Sequence, residues 1–271
     1  MNNKNFPLVS IITPCRNSET YIEETILSVI NQTYPNIEYI VVDGGSTDAT
    51  LEIIRRYEAS ITRWTSEPDE GMYQAINKGM SRVRGDIVAY LNSDDLYYPD
   101  AISKVVEFFE ANPSVDLVYG DLDFIEGDGK KLYTWIYPNF NLKRFTAANC
   151  MMIGQPAASW RRSLMDEIGL FDESMKMASD FDFFIRAGNS GVLAHVSEVL
   201  AKFRLHTTSL TCSQSKLGVE EVILLHEKYD DGTTGFLNYA ALKISDIYYK
   251  LLNWRVMVTK IVIVLRKRLN V

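Results

Sequence analysis

The sequence predicts an α/β protein: a mainly parallel sheet flanked by helices, in one domain, with a helical extension at the C-terminus. Three observations carry this. Short apolar runs rich in β-branched residues alternate with segments of helical period through the first half, as in βαβ units. The runs end in turn residues and carboxylates, the usual carboxyl-end furniture of an open sheet. From Ser215 onward the period is helical and the charge balance changes.

Taken in order, Leu8 to Ile12 ("LVSII") is the first strand, expected to stop at Thr13-Pro14 because proline lacks the donor of a central strand. Tyr21 to Asn31 sets Ile22, Ile26, Val29 and Ile30 at helical spacing. Ile37 to Val42 is the second strand and ends at Asp43-Gly44-Gly45. Thr47 is expected to cap the next helix, with Leu51, Ile53 and Ile54 inward. Ile61 to Ser66 is a third strand, followed by "EPDEG" and a helix whose stripe is Met72, Ile76, Met80 and Val83. Asp86 to Leu91 is the fourth strand, and a helix runs from Pro99, in its first turn, to Asn112. Leu117 to Gly120 is the fifth strand, and Glu126 to Lys130 reads as a tight turn between antiparallel strands.

Composition narrows the function. A chain of 271 residues, 46% hydrophobic and 23% charged, is long enough for one large α/β domain and an appendage. The 28 basic and 35 acidic residues give a net charge of −7, which argues against nucleic acid as partner. An anionic ligand must then be held locally, by backbone amides or a metal. Cys15, Cys150 and Cys212 are odd in number and widely spaced, so neither a disulfide framework nor a zinc site is indicated, and a reducing, cytoplasmic setting is expected. The opening "MNNKNFPLVS" lacks the pattern of a signal peptide.

The strand ends offer Thr13-Pro14-Cys15-Arg16-Asn17, Asp43-Gly44-Gly45, Glu67 to Gly71, and Asn92 to Asp95. None has the glycine spacing of a dinucleotide or P-loop site. Adjacent carboxylates at Asp94 and Asp95 repel one another, and a hard divalent cation bridging them to a diphosphate removes that penalty. A capped, exposed turn accounts for the same tripeptide "SDD".

The series "VSIITPCRNSETYIEETILSVINQTYPNIEYIVVDGGSTDAT", "EPDEGMYQAINKG" and "GDIVAYLNSDDLYYPDAI" resembles the family 2 glycosyltransferases of GT-A fold that build bacterial polysaccharides and cell-surface glycans. The match in order and spacing covers about residues 7 to 125, and more loosely reaches about 210. The resemblance implies three parts: 1–125 binding the nucleotide sugar, 126–212 the acceptor-side half of the same domain, and 213–271 the helical extension. It places Thr13, Pro14, Arg16 and Asn17 at the base and ribose, and Asp43 at the edge of the base, where a carboxylate accepts from a ring N–H. An Asx turn shaping "DGGSTD" is the competing role for Asp43. Asp69 and Gly71 line the same pocket. "NSDD" stands at the metal motif, with Asp95 as ligand to Mn2+ or Mg2+ and Asp94 at the ribose or a ligand water.

Asp180, in "ASDFDFFIR", matches the position of the family's catalytic base, with Asp182 as alternative and an N-cap as its structural role. The helix dipole favours its charge. A single base opposite the leaving group implies inversion. In "FRLHTTSLT", Arg204 and His206 match a motif near the diphosphate, with His206 as metal ligand, phosphate donor or structural residue. Trp160, Arg161 and Arg162 face the acceptor or serve the fold.

Between Ile247 and Val271 there are six basic residues and no acidic one. Its longest apolar run, Ile261 to Leu265, is far below the ~20 residues of a membrane span. The segment either lies on the anionic inner-membrane face, making the protein peripheral, or packs on the domain or a second copy as a homo-oligomer. The reaction implied is metal-dependent, inverting transfer from a nucleotide-sugar donor to a hydroxyl of a glycan or lipid-linked saccharide. Two alternatives stand beside it: a sugar-nucleotide nucleotidyltransferase, which "TPCRNSET" suits poorly, and a non-catalytic subunit of a polysaccharide assembly complex.

Overall fold

The computed structural model describes residues 6–147, 152–206, 208–210 and 214–229. Expectations for the basic stretch from Ile247 to Val271, and with them the membrane and oligomer alternatives, lie outside the described residues. Among the described residues no helix is long and apolar enough to cross a membrane.

The elements are β1 (Val9–Cys15), α1 (Ile22–Ile30), β2 (Ile37–Asp43), α2 (Thr50–Arg56), β3 (Arg63–Ser66), α3 (Met72–Met80), β4 (Ile87–Tyr90), β5 (Leu96–Tyr97), α4 (Ala101–Ala111), β6 (Leu117–Glu126), β7 (Lys131–Trp135), α5 (Leu142–Ala147), β8 (Ala158–Arg161), α6 (Arg162–Ile168), α7 (Ser179–Ser190), β9 (Leu193–Leu205) and α8 (Ser215–Tyr229). The sheet runs in the order β3-β2-β1-β4-β8-β6-β9-β5, with β7 paired to β6. β1 to β4 are mutually parallel, and β6 pairs parallel with β9. β8, between β4 and β6, is antiparallel to both. The α/β class with a mainly parallel first half is therefore as the sequence predicts.

Differences arise where tertiary contacts override local signals. β1 does not stop before Pro14 but continues to Cys15. β4 ends at Tyr90 opposite Ile12, so beyond Ile12 β1 has β2 as its one neighbour. Ile12 C=O accepts from Leu91 N–H on the β4 side, and Cys15 C=O from Gly44 N–H on the β2 side. Alternation turns Pro14 toward the vacated β4 side, where its missing N–H leaves no ladder bond unmade. Thr47 does not cap α2, which starts at Thr50. Asp48 Oδ1 instead accepts from Thr50 N–H, while Thr47 N–H donates to Asn17 Oδ1. β6 extends ten residues rather than four because β7 and β9 pair along it, and the predicted tight turn closes β6 onto β7 with Glu126 N–H donating to Lys130 C=O.

The core under the carboxyl ends of the strands is aromatic. Phe171 stacks on Phe183 at 4.6 Å between ring centroids, Trp160 lies 4.9 Å from Phe183, and Tyr73 stacks on Phe171 at 5.6 Å. This cluster seats α7 against α3 and the sheet, with offset and edge contacts each adding to the area buried. Trp160 is fully buried in it, and Arg161 donates to the backbone carbonyls of Val115, Phe109 and Pro113. Arg162 Nε likewise donates to Gly85 C=O, so "WRR" serves the fold rather than an acceptor.

α3 crosses β1 so closely that a Cβ at Gly79 would sit 2.5 Å from Ile12 Cγ2. Ile12 is fully buried and has nowhere to move. Gly79→Ala is expected to destabilise by about 1–2 kcal/mol net, overpacking outweighing the ~1 kcal/mol gained in helix propensity. Urea unfolding checks this.

Candidate active site

The loops after β1, β3 and β4 line a cleft of about 1420 Å3, and the loop after β2 is bonded to the first of them. Hydrogen bonds between neighbouring loops hold them rigid. Asn17 adopts φ 49°, a left-handed conformation that asparagine tolerates, and its N–H donates to Ser46 Oγ at 2.7 Å. Its Oδ1 accepts from Thr47 N–H at 2.8 Å, so the loop after β1 is pinned to the loop after β2. Ser18 Oγ lies 2.8 Å from Ser93 Oγ, tying the first loop to the one after β4.

Asp43 is fully buried at the end of β2. Its Oδ2 accepts from Gly45 N–H, Ser46 N–H and Ser66 Oγ–H, and its Oδ1 from Ser46 Oγ–H. These bonds make the Asx turn and engage both oxygens with the chain itself. Thr13 is also fully buried, accepting from Tyr39 O–H at 3.1 Å. Neither residue lines the cleft. Thr13 and Asp43, expected at the base and ribose, are thus engaged by the chain itself, Asp43 shaping the loop to which Asn17 is bonded.

Asp69 does line the cleft. Its Oδ1 accepts from Gly71 N–H at 3.1 Å, and its carboxylate lies over Gly44 so closely that any Cβ there would overlap it. Pro14, Arg16, Asn17 and Gly71 also line the wall, with Arg16 exposed at the mouth.

The loop after β4 separates its two carboxylates. Asp94 faces the cleft, and its Oδ2 lies 2.9 Å from His206 Nε2. His206, just past β9, makes its other contact from Nδ1 to Thr208 Oγ1 at 2.9 Å. Asp95 points the other way, 1% exposed, with Oδ1 accepting from Arg204 N–H at 3.0 Å. Burial, and then the charge of Asp94, push the Asp95 carboxyl well above the usual range. Asp95, expected as the metal ligand, does not line the cleft: its carboxylate lies buried beneath β9, with no hydrogen-bond partner for Oδ2 among the described residues. Arg204 is also walled in, donating to Asp94 C=O, Gly127 C=O and Glu24 Oε2 while lying over the Tyr21 ring. It buttresses the carboxylate loop instead of reaching a phosphate.

Across the cleft stands Asp180, in the first turn of α7. Its Oδ1 accepts from Phe181 N–H at 2.9 Å and from Tyr73 O–H at 3.2 Å. Among the described residues no donor reaches Oδ2, and the side chain lines the cleft. Burial pushes Asp180 up to about 6, against the lowering effect of those two bonds. Such a value suits a base working near neutral pH, ionised yet with real proton affinity. Asp182 cannot fill that role, because it is 2% exposed, with Oδ2 bound by Arg186 and Oδ1 by Lys228 and Tyr229.

Eight of the candidate residues therefore share one cleft: Pro14, Arg16, Asn17, Asp69, Gly71, Asp94, Asp180 and His206. Tyr73 and the aromatic wall of Phe124, Trp135 and Phe203 are not foreseen from the sequence. The helical stripe is expected to run through Met72, but the structure buries Tyr73 and leaves Met72 partly exposed, and both side chains line the cleft.

Among the described residues lining the cleft, three carboxylates (Asp69, Asp94, Asp180) face one guanidinium (Arg16). Such a surface does not neutralise a diphosphate by itself. Among the described residues no group of three or more His, Cys, Asp or Glu is assembled for a metal ion. Asp94 and His206, a carboxylate and an imidazole side by side on the cleft, are a donor pair that fits a divalent cation.

The architecture is that of the GT-A enzymes. It superposes on a mannosyltransferase from Pyrobaculum calidifontis, PcManGT, solved with GDP-Man and Mn2+, at a TM-score of 0.65 and 18% identity over 98% of this chain and 76% of that one. In sequence, residues 10–169 match the model of glycosyl transferase family 2, and the chain belongs to that family; it is a glycosyltransferase. It is 32% identical over 76% of its length to a glycosyltransferase of Rickettsia typhi, spanning 66% of that relative. It is 31% identical over 78% of its length to TuaG of Bacillus subtilis, a glycosyltransferase assigned to teichuronic acid biosynthesis, spanning 84% of that protein.

Proposed function

We propose that this chain is an inverting, cation-dependent glycosyltransferase. It moves a sugar from a nucleotide-sugar donor to a hydroxyl of a glycan or lipid-linked saccharide in cell-surface polysaccharide synthesis. The observation that carries the reading is the open Oδ2 of Asp180 in the same cleft as the Asp94–His206 pair. The names of TuaG and of the PcManGT complex support the pathway and the donor class respectively.

On this reading residues 1–125 seat the donor, with Pro14, Arg16, Asn17, Asp69 and Gly71 against the nucleoside, and Thr13 and Asp43 holding their loops in shape. Asp94 and His206 would hold Mn2+, which when bound would supply positive charge to the departing nucleoside diphosphate. Residues 126–212 bring the acceptor, whose apolar sugar faces meet Trp135 and Phe203 together with Phe124 from the end of the first part. Asp180 Oδ2 takes the proton of the acceptor hydroxyl as its oxygen bonds to the anomeric carbon. The bond from that carbon to the phosphate oxygen breaks with its electrons leaving on the diphosphate. Tyr73 O–H and Phe181 N–H keep the carboxylate aimed throughout. One displacement with a single base gives inversion.

The test is transfer or donor hydrolysis from a panel of nucleotide sugars with Mn2+, followed across pH for the donor selected. With the base near 6 in the free chain, kcat/KM is expected to fall about tenfold per unit below pH 6 and to level off above 7, because the protonated carboxyl cannot take the proton of the acceptor hydroxyl. A rate independent of pH between 5 and 8 would remove Asp180 from the role.

A further inference from the structure

We propose that Glu221, on α8, is a positioning residue for the base: it fixes the segment that delivers Asp180 to the cleft. The inference rests on the reading of Asp180 given above. Glu221 lies 41 residues beyond Asp180, outside the stretch matched by the family model, and is 8% exposed. Its Oε1 accepts from Lys176 N–H at 2.8 Å, and its Oε2 from Met177 N–H at 2.8 Å and Ala178 N–H at 2.9 Å. Three consecutive amides thus converge on one carboxylate, a charge-assisted set that a neutral side chain cannot complete.

The placement gives this contact its meaning. Ala178 is the N-cap residue of α7 and makes no side-chain cap of its own, so Glu221 supplies from another helix the anchoring that the sequence of α7 lacks. Asp180 follows two residues later. The same segment reaches the donor side, where Lys176 Nζ donates to Glu70 C=O at 3.0 Å, beside Asp69 and Gly71. α8 also grips α7 beyond the base, through Tyr229 O–H and Lys228 Nζ on Asp182 Oδ1 at 2.7 and 3.0 Å. Held before and after, Asp180 has little freedom to swing. Gly218, Val219 and Val222 of α8 line the cleft itself, so this helix is a wall of the site and not an appendage to it.

The experiment is a double-mutant cycle on the full chain: wild type, Glu221→Gln, Asp180→Asn and the pair. Measured quantities are kcat, donor KM, and binding of uridine or guanosine diphosphate with Mn2+ by calorimetry. Glu221→Gln keeps the volume, and unchanged stoichiometry of nucleotide binding verifies the fold. It is expected to lower kcat about 10- to 100-fold, with donor KM and nucleotide affinity within about twofold, since a misaimed base costs rate and not binding. In the Asp180→Asn background it is expected to change nothing further. Loss of nucleotide binding alongside kcat, or an equal loss in both backgrounds, would show a general structural role and overturn the proposal, as would an unaffected kcat. A wild-type rate from Asp180→Asn alone sinks the base assignment instead, which the cycle reports separately.

Discussion

Asp180→Asn is expected to lower the rate of transfer by about 10²–10⁴-fold while nucleotide affinity stays within about twofold of wild type. The size follows from what the substitution removes. An amide retains the Oδ1 position, so Tyr73 and Phe181 can still donate to it, but nothing remains to take the proton of an acceptor hydroxyl. Burial already disfavours the charge of Asp180, so the neutral side chain is not expected to lower thermal stability. Single-turnover rates beside equilibrium nucleotide binding separate the effects. A variant that loses both in proportion would mean that the side chain serves binding, not proton transfer.

Asp94→Ala should have the second large effect, this time on binding. With Asp94 gone, His206 is left to hold the cation, and among the described residues lining the cleft Arg16 is the one guanidinium against a diphosphate. Donor affinity in Mn2+ is expected to fall about 100-fold, ~2.7 kcal/mol, and to lose its response to the cation. Asp95→Asn provides the contrast: Oδ1 can still accept from Arg204 N–H, so the Mn2+ requirement should persist. If Asp95→Asn abolished the cation response and Asp94→Ala preserved it, the division between the two carboxylates drawn from their burial would be reversed.

These two residues also show how far the sequence can be read. That a strand ends in carboxylates at Asp94 and Asp95 is a local fact, visible in the apolar run that precedes them. Which one faces the cleft is decided by Arg204 on β9 and His206 just past it, more than a hundred residues later, and so by a ladder no local pattern reveals. Asp43 is legible as the end of β2 and as an Asx turn, but its full burial depends on Ser66, a neighbour across the sheet. Pro14 misleads because the rule for central strands does not hold where β1 has lost one neighbour. The position of Asp180 follows from the family resemblance; its open oxygen, and the hold of Tyr73 and Glu221 around it, come only with the packing of α3, α7 and α8.

On the proposed function a nucleotide sugar binds in this cleft through a divalent cation held by Asp94 and His206. Calorimetric titration of UDP- and GDP-sugars into the wild-type chain, with Mn2+ and again with a chelator, tests it most directly. Saturable binding of one donor class in Mn2+ is expected, weakening by at least about tenfold when the cation is removed. Binding of equal strength with the chelator, or no binding of any nucleotide sugar, would contradict it.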